Sequence, residues 1–175
     1  MTPQQTADLM SKLDKMDERS QMSLLSQVDR ERSETLGLLL KYLGPHSSIN
    51  VQAAAIYLIG RNRLSDGVPE LVRRIDFDTG AEPKKTAEPL WERYPAMEAL
   101  ITIGSPSVRP SVELLATDPN EVRRNLAVKV IRYVEGPEVA KFILERAIAA
   151  ESEPKRRANL SDGMKRLQTL IQQTR

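Results

Sequence analysis

Val51-Gln52-Ala53-Ala54-Ala55-Ile56-Tyr57-Leu58-Ile59-Gly60 is the stretch on which the fold turns. With Val51 at position zero, Ala55, Ile56, Ile59 and Gly60 stand at offsets 4, 5, 8 and 9. The same offsets counted from Pro95 reach Ala99, Leu100, Ile103 and Gly104. Counted from Val122 they reach Leu126, Ala127, Val130 and Ile131. A weaker fourth copy starts at Pro154, with Ala158 at offset 4 and Gly163 at offset 9. Offsets 0, 4, 5 and 8 fall on one face of an α-helix, so each copy predicts a helix that buries one stripe. Small residues recur at offsets 4 and 5, where a neighbouring helix has to come close.

A second apolar segment comes after each of the first three copies. Val68-Pro69-Glu70-Leu71-Val72 and Ile75 come after Gly60. Val108-Arg109-Pro110-Ser111-Val112, Leu114 and Leu115 come after Gly104. Pro137-Glu138-Val139, Phe142, Ile143 and Leu144 come after Val134. Each places a proline at or near the first turn, where the missing N–H costs nothing. Asp66 and Ser107 are candidate caps for the first two of these helices. Ser47 or Ser48 is positioned to cap the helix containing Val51. Asp118 is a candidate cap for the helix containing Val122, with Pro119 at its first position. Each unit therefore reads as helix, tight turn, helix. Gly60 and Gly104 are 44 residues apart, and later copies are closer. The excess falls in residues 76–88, a charged stretch with Gly80 and Pro83 and no apolar period, which reads as a long inter-repeat loop.

The pattern resembles the HEAT family of repeats, above all its short bacterial variety. The nearest match is Asp118-Pro119-Asn120-Glu121-Val122-Arg123-Arg124-Asn125-Leu126-Ala127. It is similar to the family's Asp…Val-Arg…Ala stretch at the start of a lead helix. The resemblance covers roughly residues 46–175, one domain. It implies an all-α fold, an α-α superhelix (α-solenoid) of three to four helical hairpins. It also implies that Asp118 and Arg123 tie adjacent repeats together. Two units depart from the motif: Gln52 stands where Arg is usual, and Pro95-Ala96 replaces Val-Arg.

Residues 1–45 read as N-terminal helices, a cap or a divergent first repeat that hides the open end of the core. Leu9, Leu13 and Met16 mark one amphipathic helix. Met22, Leu25, Val28, Arg32, Leu36, Leu39 and Leu43 continue at spacings of three and four. Two helices are favoured over one, with Ser33 capping the later and Gly44-Pro45 ending it. At the other end, Leu160, Met164, Leu167 and Ile171 predict a helix over 153–173. Ser161-Asp162-Gly163 lies inside it, and a continuous helix is preferred, since one glycine costs about 1 kcal/mol.

Composition agrees with helices. Hydrophobic residues make up 40% and aromatic residues 4%, too few aromatics for a sandwich or barrel. The 175 residues carry 26 Lys and Arg against 24 Asp and Glu, so no strong field points to nucleic acid or an anionic membrane. The basic excess sits in residues 151–175, with 6 basic and 3 acidic side chains. With no cysteine there is no disulfide framework, thiolate zinc site or cysteine nucleophile. No apolar stretch approaches the roughly 20 residues of a membrane helix, and no leader is evident. The expectation is a soluble protein, cytoplasmic by default.

The chemistry that an enzyme needs is not marked. His46 is the single histidine and sits in a linker beside Ser47 and Ser48, without a third group to orient a pair. Asp76 and Asp78 lack the further ligands of a calcium loop. The glycines are dispersed rather than gathered in a phosphate loop. Trp91, with Leu90 and Tyr94, reads as an anchor of the long loop on the core. No catalytic residue, metal ligand or cofactor is assigned. The expected function is a non-catalytic scaffold that binds a protein or peptide on its concave face. The candidate residues are Glu70, Arg73, Arg74, Arg109, Glu113, Glu138, Lys141 and Glu145, on the second helices. Their mixed sign suits a protein or peptide. The alternative is phosphate-backbone binding through Arg123, Arg124, Lys155, Arg156 and Arg157, after the fashion of the family's DNA glycosylases.

Overall fold

Hydroxyl, amide and proline residues set where the helices begin, and glycines set how closely they pack. The computed structural model describes residues 33–81 and 93–173. Among these the chain is all-helical, with no strand. The helices are α1 (Ser33–Lys41), α2 (Ile49–Arg61), α3 (Val68–Arg73), α4 (Pro95–Ile103), α5 (Val108–Thr117), α6 (Glu121–Glu135), α7 (Pro137–Ala150) and α8 (Pro154–Gln172). They fall into two compact units, one ending at Ile103 and the other starting at Gly104. The helix read at Leu9, Leu13 and Met16, the continuation through Met22, Leu25 and Val28, and the anchor Trp91 lie outside the described residues.

In the first unit, α1 packs on α2, and α2 and α3 pack on α4. Leu36, Leu39 and Leu43 are buried, as their spacing predicts. Ser48 caps α2, its hydroxyl oxygen accepting from the Val51 N–H at 3.3 Å. Val51, Ala55, Ile56, Ile59 and Gly60 are all buried, so the repeat offsets of this copy hold. Gly60 is the tightest point. A Cβ there would lie 2.6 Å from Ala99 Cα and 2.7 Å from Ala99 Cβ, so α2 and α4 cross with backbone nearly on backbone.

Helix α2 closes in a Schellman turn. The Leu64 N–H donates to the Ile59 carbonyl at 3.1 Å, and the Arg63 N–H to the Gly60 carbonyl at 2.9 Å. The turn requires a left-handed residue, and Arg63 takes that place with φ 50°. A side chain in this region costs about 1 kcal/mol. A 3₁₀ turn over Ser65–Gly67 then leads into α3. Asp66 does not cap α3. The Val68 N–H already bonds the Ser65 carbonyl, so the incoming turn supplies the acceptor from the backbone. The same holds at Ser105–Ser107 before α5. Ser107 is not a side-chain cap, and Val108 bonds back to the Ser105 carbonyl.

In the second unit, α5, α6 and α7 all pack against α8. The cap of α6 is Asn120, whose side-chain oxygen accepts from Val122 N–H at 2.8 Å and Arg123 N–H at 3.4 Å. Asp118 is displaced from that role, and Pro119 precedes the helix instead of opening it. The Asp118 carboxylate accepts the Asn120 N–H at 2.8 Å, and this local turn carries the chain two residues further before the helix starts. Val122, the zero position of the third copy, is therefore in the first turn and 47% exposed, while Leu126, Ala127, Val130 and Ile131 are buried. Gly136 at φ 79° makes the turn into α7, which Pro137 opens.

Helix α8 runs unbroken through Gly163. Its buried stripe is Leu160, Gly163 and Leu167. The fourth copy's offsets do not describe it, because Pro154 and Ala158 are exposed. Contact with α5 sets the stripe: a Cβ on Gly163 would meet Leu115 Cδ2 at 2.6 Å.

Candidate functional site

A cleft of about 580 Å³ opens in the first unit, where the end of α2 meets α4. Gly60 and Ala99, the crossing point, lie among its lining residues. Tyr57, Arg61 and Arg63 join it from α2 and its closing turn, and Glu98 and Thr102 from α4. Asn62 lines it too. Its Nδ2 donates to the Leu58 carbonyl at 3.0 Å, while its buried Oδ1 has no hydrogen-bond donor. The Arg63 side chain is exposed.

The residues proposed from sequence divide between the units. Glu70, Arg73 and Arg74 belong to the first. Glu70 accepts from Arg74 Nε at 2.7 Å and pairs with Arg73 at 3.0 Å, so one carboxylate engages both arginines. The others belong to the second. Glu138, Lys141 and Glu145 are exposed along α7, with Lys141 and Glu145 3.8 Å apart. Beside them on α7, Val139 is 48% and Phe142 56% exposed, and the Arg146 guanidinium lies 5.8 Å from the Phe142 ring centroid. The spacing of 139, 142 and 146 puts these three on one helix face.

The basic candidates are mostly engaged inside the unit. Arg123 Nε donates to Asp118 at 2.7 Å, and Arg124 donates to the carbonyls of Asp118 and Pro119 at 2.8 and 2.9 Å. Asp118 and Arg123 thus pair with each other across the turn joining α5 to α6. Arg156 forks onto both Glu113 oxygens, at 2.8 and 3.0 Å, and its Nε donates to Glu151 at 2.7 Å. Arg109, Lys155 and Arg157 are exposed.

The Arg156 clamp carries a pH signature. Hydrogen bonds from Arg156 hold the carboxyls of Glu113 and Glu151 below the ordinary glutamate range. A depressed folded-state pKa contributes stability that is present above the ordinary value and is lost as pH falls through the depressed one. The wild-type melting temperature is therefore expected to fall more steeply below about pH 4.5 than that of Arg156→Met. Equal acid slopes in thermal melts would remove the clamp from the stability of this unit.

Other chemistry is accounted for locally. Asp78 pairs with Arg93 at 2.7 Å and accepts the Gly80 N–H at 2.8 Å, so it closes a loop turn. His46 is exposed in the linker before α2. Among the described residues no cluster of three or more metal-ligating side chains occurs, and no helix is long and apolar enough to cross a membrane. No family model, curated protein or solved structure matches the chain.

Sequence reasoning passed over Arg63, Asn62 and Glu98. The signal for Arg63 lay three residues beyond Gly60: neither glycine nor asparagine stands at position 63, where the helix-closing turn needs a left-handed residue.

Proposed function

We propose that the chain is a HEAT-like helical-repeat module that binds a protein or peptide without catalysing a reaction. On this reading its hairpins stack as an α-solenoid of three to four units, behind an N-terminal helical cap. The helix, short turn, helix order of α2–α3, α4–α5 and α6–α7 supports it. The observation that carries the binding function is the face of α7. Exposed Val139 and Phe142 are flanked there by Glu138, Lys141 and Glu145, an apolar centre with a mixed-charge rim. Such a composition fits a peptide surface, with an aromatic anchor at its middle.

The test is selection of binding peptides from a random library on the immobilised full chain, then affinity measurement on purified variants. Phe142→Ala is expected to weaken the selected peptides about tenfold or more. Lys141→Glu should change which peptides are selected. Selected peptides indifferent to both variants would defeat the α7 reading. Tight, salt-sensitive binding of a duplex or single strand lost in Lys155→Glu/Arg157→Glu would favour phosphate-backbone recognition instead.

A further inference from the structure

We infer that the cleft between α2 and α4 is a binding site for a small molecule bearing an oxyanion, a carboxylate or a phosphate, anchored by Arg63. Three of the turns that lead from one helix to the next hold a residue at positive φ. Gly104 (φ 90°) and Gly136 (φ 79°) fill two of them, and Arg63 (φ 50°) fills the third. Glycine adopts this conformation freely and arginine does not. The strain at Arg63 brings no packing in return, because its side chain is exposed. No hydrogen bond or ion pair holds its guanidinium among the described residues. What the arginine supplies is a charged side chain among the residues that line the cleft.

The planar fork of arginine matches a carboxylate or phosphate with two parallel N–H donors. The remaining lining gives the rest of the ligand its character. Glu98 brings an acidic side chain to the lining and Tyr57 an aromatic one. The volume of about 580 Å³ lies within the range of small-molecule clefts. The best-fitting class is therefore a compact zwitterion, since the lining holds both arginine and glutamate side chains. This site is separate from the α7 surface and does not depend on it.

The experiment is a titration of the full ¹⁵N-labelled chain at millimolar probe concentrations, monitored by heteronuclear NMR. The probes are phosphoethanolamine, β-alanine and inorganic phosphate. Saturable shifts are expected within residues 57–63 and 95–102. The phosphate and carboxylate arms identify the source of the oxyanion, and inorganic phosphate reports the contribution of the second group. Arg63→Gly is expected to bind about tenfold more weakly. Its melting temperature should equal or exceed the wild type's, because glycine relieves the strained turn, so the loss cannot be assigned to unfolding. Arg63→Lys, which keeps the charge without the fork, should fall between. If no probe gives saturable shifts, or if Arg63→Gly binds as the wild type does, the assignment is overturned.

Discussion

Gly60→Ala is expected to destabilise the first unit by about 2 kcal/mol. The usual effect of this substitution in a helix has the opposite sign, a gain of up to about 1 kcal/mol. Geometry decides between them. The new Cβ would stand 2.6 Å from Ala99 Cα, a backbone atom that no rotamer change can move aside. Helix α4 would have to retreat, loosening Met97 and Leu100, which are fully buried. Gly37→Ala is the matched control, since nothing lies within 4 Å of a Cβ there and the residue is in α1. It should gain about 0.5–1 kcal/mol. Adding Ala99→Gly to Gly60→Ala should recover only part of the loss, because the contact with the Cα remains. Urea denaturation at constant slope measures all four proteins. A Gly60→Ala variant as stable as the wild type would mean that the crossing is not tight.

Leu115→Ala should cost the second unit about 3 kcal/mol, the combined loss of burial and opening of a cavity. Leu115 is fully buried. Its two methyl carbons lie 2.6 and 2.9 Å from where a Cβ on Gly163 would sit. Gly163→Ala alone should therefore destabilise, by about 1–2 kcal/mol, since Leu115 must shift within a filled core. In the Leu115→Ala background the obstacle is gone, and the same substitution should stabilise through helix propensity and filling of the vacated space. The two changes are predicted to be non-additive by at least about 1 kcal/mol, as expected for residues in contact. Simple additivity in the four-protein denaturation cycle would show that α5 and α8 do not meet at this point.

The helical class was legible because the apolar spacing at 51–60, 95–104 and 122–131 is long and repeated, and burial is what that spacing encodes. Helix starts were less legible. Ser48 is the one of the two candidate serines that caps α2, but at Asp118 and at Asp66 several oxygens compete within three residues, and the backbone turn decides which one faces the helix. The tetrapeptide Leu-Ser-Asp-Gly makes the limit plain. At 64–67 it forms a 3₁₀ turn, and at 160–163 it lies inside α8. The tetrapeptide is the same in both places, so the difference comes from its surroundings: Val68-Pro69 follows the first copy and Met164-Lys165 the second, and the glycines pack against Ile59 and Leu115. The candidate residues were legible as exposed charge, not as partners. That Glu113 is held by Arg156, 43 residues away, is a result of tertiary packing. The cleft was invisible for a related reason: its residues come from α2 and α4, separated by the long loop, and no motif joins them.

The position of α8 has a bearing on how the second unit comes into being. Its fastenings are Arg156 to Glu113, Asn159 to the Ala116 carbonyl, and Arg166 to Asn125 and Glu121. All of them span 41–45 residues. During synthesis α5 and α6 therefore leave the ribosome before the helix that meets Leu115 at Gly163 has been made. At typical elongation rates that interval lasts several seconds. The unit is exposed to chaperones and to aggregation for as long as its closing helix is still being made.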